Sequence, residues 1–195
     1  MGAIFQSLGR TITAGVVILV VIALIAGTHG KMMEHAWWAF FFRWLHVLSG
    51  VMWIGILWYF NFVQIPSMPK IPDEQKPAIS KVIAPAALFW FRWGALSTLV
   101  TGLILAGMYP GYLVSALSIK APNQAIGVGM WLGLVMAFNV WFIIWPNQKK
   151  ALGIVTVPPE DKAKAARMAM LTSRFNTMLS IPMLYCMVAQ QNGGL

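Results

Sequence analysis

The chain has 195 residues, 59% of them hydrophobic and only 10% charged, with a mean hydropathy of +0.72 and a net charge of +9. Such a composition excludes a soluble enzyme core and points to helices that cross a bilayer. A single cysteine, Cys186, excludes an intramolecular disulfide and any paired-thiol centre.

Five apolar stretches reach the roughly 20 residues that a helix needs to span. They run from about Thr11 to Gly27, Trp37 to Phe62, Ala86 to Tyr109, Gln124 to Trp145 and Met168 to Ala189. The expected fold is therefore an all-α integral membrane protein, a single domain over 1–195 built as a bundle of about five transmembrane helices with short interfacial helices. The first stretch follows Arg10 and has no clear small-residue cleavage pattern, so it reads as a retained span.

Between spans two and three, Pro66, Pro69 and Pro72 are too many for a helix interior. Asp73 to Val82 then reads as an interfacial helix ending near Pro85. Pro158 and Pro159 open the last helix, with Glu160 and Asp161 in the first turn where the helix dipole favours anions.

Basic residues set the expected orientation. Arg10, Lys70, Lys76, Lys81, Lys149, Lys150, Lys162, Lys164 and Arg167 collect on one side and only Lys31 and Lys120 on the other. The reading is a membrane protein with a cytoplasmic N-terminus and an outside C-terminus at Leu195. The positive charge belongs to topology and lipid contact and requires no nucleic acid.

Small residues recur every four positions, at Gly94, Thr98, Gly102 and Ala106 on the third span and Gly129, Gly133 and Ala137 on the fourth. Such stripes are seams for close helix approach. All five acids, Glu34, Asp73, Glu74, Glu160 and Asp161, fall outside the spans. That argues against a proton pump or cation carrier, and the absence of hydrolase, zincin and nucleotide-binding motifs argues against those chemistries.

The second span holds a histidine, His46, and ionisable groups at that depth are functional candidates by default. Arg43, His46, Gly50 and Trp53 share one helical face because residues three and four apart are neighbours. A neutral imidazole is an axial ligand for haem iron, a glycine one turn on admits a macrocycle, and an arginine one turn outward pairs with a propionate. The competing reading is a histidine hydrogen-bonded across helices to Asn139, Thr98, Thr101 or a backbone carbonyl. His35 is about 16 Å along the axis from His46, and His29 sits at the outer end of the first span, so neither supplies a second ligand in one chain.

Several segments resemble a known family. These are Arg43–Gly55, Tyr59–Pro66, Trp145–Lys150 and the polar run Ser173-Arg174-Phe175-Asn176-Thr177 leading to Pro182. In order, they look like the membrane domain of bacterial membrane-bound urate oxidases, also called urate hydroxylases. The resemblance implies a urate-oxidase-like membrane redox protein that binds haem b through His46 and exchanges electrons with a partner such as cytochrome c. The chain is expected to depart from the family in having fewer spans and no cytochrome c domain before its end at Leu195. Within the resemblance, Arg174 and Asn176, with Asn139 at mid-membrane, either hold an anionic substrate or form a polar network locking the last helix to Asn61 and Gln64. The alternative function is a non-catalytic transmembrane subunit packing against a larger respiratory or photosynthetic membrane complex.

Overall fold

The computed structural model describes residues 2–194, without the side chains of Ala3 and His29, so the expectations for Leu195 and for the His29 side chain fall outside the described residues. The described chain is helical with short turns and contains no strand. After one turn at Gly2–Phe5, the main helices are α1 (Leu8–Ile25), α2 (His35–Lys70), α3 (Lys76–Gly107), α4 (Tyr112–Leu117), α5 (Gln124–Ala151) and α6 (Pro159–Asn192). Two compact units, Met1–Phe41 and Phe42–Leu195, divide inside α2.

In the first unit, α1 has no buried residue, and its valines, isoleucines and leucines are exposed. At the start of α2, Trp37 stacks on Phe41 with ring centroids 5.4 Å apart, and Trp38 meets Trp37 edge-on at 5.0 Å.

In the second unit, Trp53, Leu57, Phe91, Met136 and Val140 form the centre of one apolar core contributed by α2, α3 and α5, and Met183 joins it from α6. Large apolar side chains also cover the outside, among them Val51, Phe62, Phe142, Ile181 and Val188, each more than half exposed. An apolar exterior of this extent is unstable in water and suits lipid.

Four helices, α1, α2, α3 and α5, are long and apolar enough to cross a membrane, against the five stretches read from the sequence. The fifth stretch lies in α6, a helix of 34 residues. It is not among the four because Ser173, Arg174, Asn176, Thr177 and Ser180 dilute its apolar content. Ser173, Asn176 and Ser180 are all buried, so the polar stripe faces inward.

The prolines do not end helices where the sequence suggested. Pro66, Pro85 and Pro146 lie inside α2, α3 and α5, and each follows a π-helical stretch, at Tyr59–Gln64, Ile79–Ile83 and Asn139–Ile144. In each case the residue just before the proline donates its N–H five residues back: Ile65 to Phe60, Ala84 to Ile79 and Trp145 to Val140. Proline lacks an N–H, and its ring crowds the carbonyl four residues earlier. A widened turn relieves that crowding and lets the helix continue. Hence α2 extends to Lys70, α3 begins at Lys76 and passes through Pro85, and α5 extends to Ala151. The opening of α6 follows expectation, with proline at the start and Glu160 and Asp161 in the first turn.

The glycine seams are real where backbones meet. A Cβ on Gly94 would lie 3.2 Å from the Trp53 nitrogen, and one on Gly129 would lie 3.1 Å from the Cys186 Cβ. Gly133 behaves differently, since a Cβ there meets nothing within 4 Å. At one end of the bundle Gln190 fastens α6 to the start of α5, accepting from the Ile126 N–H at 3.1 Å and donating to the Pro122 carbonyl at 3.0 Å.

Candidate functional site

The face carrying His46, Gly50 and Trp53 meets α3 along one antiparallel seam. A Cβ on Gly102 would stand 2.8 Å from His46 Cε1, a Cβ on Gly50 lies 3.9 Å from Thr98 Cγ2, and Gly94 backs onto Trp53. The small residues of α3 are thus where the side chains of α2 enter. His46 Nδ1 is 2.8 Å from the Thr98 carbonyl oxygen. Because a carbonyl only accepts, Nδ1 carries the proton and Nε2 keeps its lone pair. The Thr98 hydroxyl is engaged in turn, donating to the Gly94 carbonyl at 2.7 Å.

Tested against a haem, this arrangement has one favourable feature and one unfavourable feature. A histidine held through Nδ1–H by a carbonyl is oriented as metal-ligating histidines are. The space that a macrocycle needs beside Gly50 is filled by Thr98, and Trp53 is only 1% exposed against α3. The residues of this face therefore do not fit a haem. Of the hydrogen-bonding partners read from the sequence, the one found is a backbone carbonyl, that of Thr98.

Arg43 does not join the seam. Its Nε is buried without a hydrogen-bond partner, and its charge acts on Tyr112 at the start of α4. Burial pushes the Tyr112 hydroxyl pKa up, and the attraction of Arg43 opposes that rise.

The second cluster lies between α6 and the π turns. Asn139, at the head of the α5 π turn, donates to Asn176 Oδ1 at 2.8 Å, and Asn176 donates to the Met136 carbonyl at 2.9 Å. Asn176 is wholly buried. One helical turn away Asn61, inside the α2 π turn, donates to Ser173 Oγ at 2.8 Å. One turn in the other direction Trp58 donates to Ser180 Oγ at 2.9 Å, and that hydroxyl donates to the Thr177 carbonyl at 2.7 Å. The stripe on α6 thus grips α2 and α5 next to two of their π turns.

Of the residues read from the sequence as one polar group, Asn139 and Asn176 come together and Arg174 does not. Arg174 is exposed on the opposite side of α6. Asn61 makes the expected lock, through Ser173 rather than Asn176, whereas Gln64 Oε1 stays buried without a partner. Ser173, Ser180 and Trp58 were not singled out as site residues. Their signal was the three-and-four spacing of 173, 176 and 180 on an otherwise apolar helix.

A further contact joins the middle of α3 to α5. The Arg92 guanidinium carbon sits 3.4 Å from the centre of the Trp145 ring, and Lys149 Nζ lies 5.7 Å from the same centre. Among the described residues no group of three or more histidine, cysteine, aspartate or glutamate side chains is placed to hold a metal.

Fold and site together define an all-helical bundle with membrane-length helices, tied internally by side-chain amides and hydroxyls. Residues 112–193 match the family Urate oxidase N-terminal, so over that stretch the chain is similar to that family. The matched stretch is α4 to α6, with Asn139, Ser173, Asn176 and Ser180 inside it, and it covers under half of the chain. The Arg43–Gly55 segment, which carried much of the resemblance in the sequence, lies outside it. No curated protein and no solved structure matches the chain.

Proposed function

We propose that this chain is a membrane-embedded scaffold of the urate-oxidase N-terminal type, acting as a non-catalytic subunit of a larger membrane complex. The observation that carries this reading is Asn176. Both ends of its amide are committed to α5, through Asn139 and the Met136 carbonyl, at a site with 0% exposure. The polar groups best placed to hold a substrate instead hold helices together, which is how polar side chains stabilise membrane bundles.

In this reading α6 is a fifth span whose polar stripe is turned inward. At about 1.5 Å per residue its length exceeds the roughly 30 Å hydrocarbon core. The basic end, with Lys70, Lys76, Lys149 and Lys150, lies at the cytoplasmic face of the inner membrane, and the chain leaves α6 on the periplasmic side.

The competing reading is a urate-oxidising redox protein coupled to cytochrome c. It is favoured by the family match over 112–193 and by the free Nε2 of His46. A visible spectrum and a urate assay on the chain purified in neutral detergent separate the two. The scaffold is expected to show no Soret or α band, no urate consumption, and co-migration with a larger complex on native gels. A Soret band that disappears in His46→Ala, or urate-dependent reduction of a pigment, sinks the scaffold reading.

A further inference from the structure

We infer that Arg92, Trp145 and Lys149 form a binding site for the phosphate of an anionic phospholipid. Two cations converge on one indole, with the Arg92 guanidinium carbon 3.4 Å and Lys149 Nζ 5.7 Å from the ring centre. Stacking on the ring face stabilises a cation, and tryptophan is the strongest aromatic partner for it. It does not cancel the charge. Arg92 Nη1 is buried with no hydrogen-bond partner among the described residues. The ion pairs among the described residues are Lys76 with Asp73 and Lys164 with Asp161, and neither involves this pair. Two like charges gathered without a carboxylate call for an anion from outside the chain.

A phosphate fits the donors. The indole holds the guanidinium, and Arg92 and Lys149 are each only partly buried, which leaves the pair reachable from outside the bundle. A held guanidinium offers a planar fork to phosphate oxygens, and an ammonium adds a point charge beside it. The location selects a lipid as the source. Arg92 lies at the middle of α3 but packs on Trp145, one turn before Lys149 near the end of α5, on the side of the bundle where exposed Lys150 and Trp90 sit. Basic residues and tryptophan at a helix end mark the headgroup level.

The site rests on the membrane embedding proposed above, and the test separates the two. The full chain in neutral detergent is titrated with phosphatidylglycerol, phosphatidylcholine or inorganic phosphate. Retained lipid is read by native mass spectrometry, and stability by thermal unfolding. Phosphatidylglycerol is expected to be retained in preference to phosphatidylcholine, with retention falling about fivefold in Arg92→Gln, the effect of one interfacial cation. Lys149→Gln is expected to reduce retention in the same direction, and because Lys149 is half-exposed it reports on the site even if Arg92→Gln folds poorly. Unchanged retention in both variants, with intact helical circular dichroism, overturns the site. Equal retention of phosphatidylcholine also overturns it. A stabilisation by inorganic phosphate as large as that by lipid, and lost in Arg92→Gln, overturns the lipid assignment in favour of a free anion. A chain that fails to enter vesicles at all defeats the embedding itself, whereas one that enters without preferring anionic lipid defeats only this site.

Discussion

Asn176→Ala is expected to destabilise the bundle by about 2 kcal/mol, measured by unfolding in mixed micelles of mild and denaturing detergent. The substitution removes two hydrogen bonds, of 2.8 and 2.9 Å, from a wholly buried position. It strands the Asn139 amide and loosens the Met136 carbonyl. A buried polar group left without its partner costs about 1–3 kcal/mol. Helix-to-helix hydrogen bonds in membranes are weaker, about 0.6 kcal/mol on average, because the dissociated helices find other partners. The estimate therefore sits inside the range rather than above it. Arg174→Ala, two residues away and exposed, is expected to stay within about 0.5 kcal/mol. A double-mutant cycle between Asn139 and Asn176 is expected to show a coupling of at least about 0.5 kcal/mol. Zero coupling would mean that the pair does not lock α6 to α5.

Gly127→Ala and Gly133→Ala, two substitutions of the same chemistry on the same helix, are expected to have opposite signs. A Cβ on Gly127 would collide with the Ala116 carbonyl oxygen and lie 3.0 Å from its carbon. These are backbone atoms that no rotamer change moves, so α4 must shift as a body. Overpacking typically costs about 1–3 kcal/mol, and a clash with fixed backbone belongs at or beyond the upper end. A Cβ on Gly133 meets nothing, so alanine there gains about 0.5–1 kcal/mol of helix preference over glycine. Gly102→Ala falls between them, because the Cβ would sit 2.8 Å from the His46 ring and displace it from the Thr98 carbonyl. The same unfolding measurement applies to all three. Equal stabilities for the Gly127 and Gly133 variants would refute the seam geometry.

These glycines show how far the stripes were legible in the sequence. The period of four at Gly94, Thr98, Gly102 and Ala106 identified the α3 face that meets α2, since a bundle helix needs small residues wherever backbones approach. The same period placed Gly133 in a seam that the structure leaves open. Gly127, which makes the tightest contact, stood outside the α5 stripe as it was read, because its partner is the short helix α4. Spacing reports which residues share a face. It does not report which neighbour arrives there.

The candidate site repeats that lesson. His46, Gly50 and Trp53 do share a face, as the three-and-four spacing required. What that face meets is α3, so the room foreseen for a haem is occupied by Thr98 and the Gly94 and Gly102 seam. The prolines mislead in the opposite direction. Read locally, Pro66 and Pro85 end helices, yet the π turns ahead of them let the chain continue. An extra residue in a helical turn leaves no compositional mark.

The sequence by itself determined an all-helical chain with helices long and apolar enough to cross a membrane. Long apolar runs force helices because the backbone in lipid must satisfy its own hydrogen bonds, and the lopsided basic residues distinguish one end from the other. Only the tertiary structure decided what the polar residues inside those helices do. Asn139, Asn176, Ser173 and Ser180 have the same donors and acceptors whether they face a substrate or another helix. The packing of α6 against the π turns of α2 and α5 brings their partners to about 3 Å. The approach of α3 to α5 likewise gathers Arg92 and Lys149 on Trp145, from distant parts of the chain, with neither in an ion pair among the described residues.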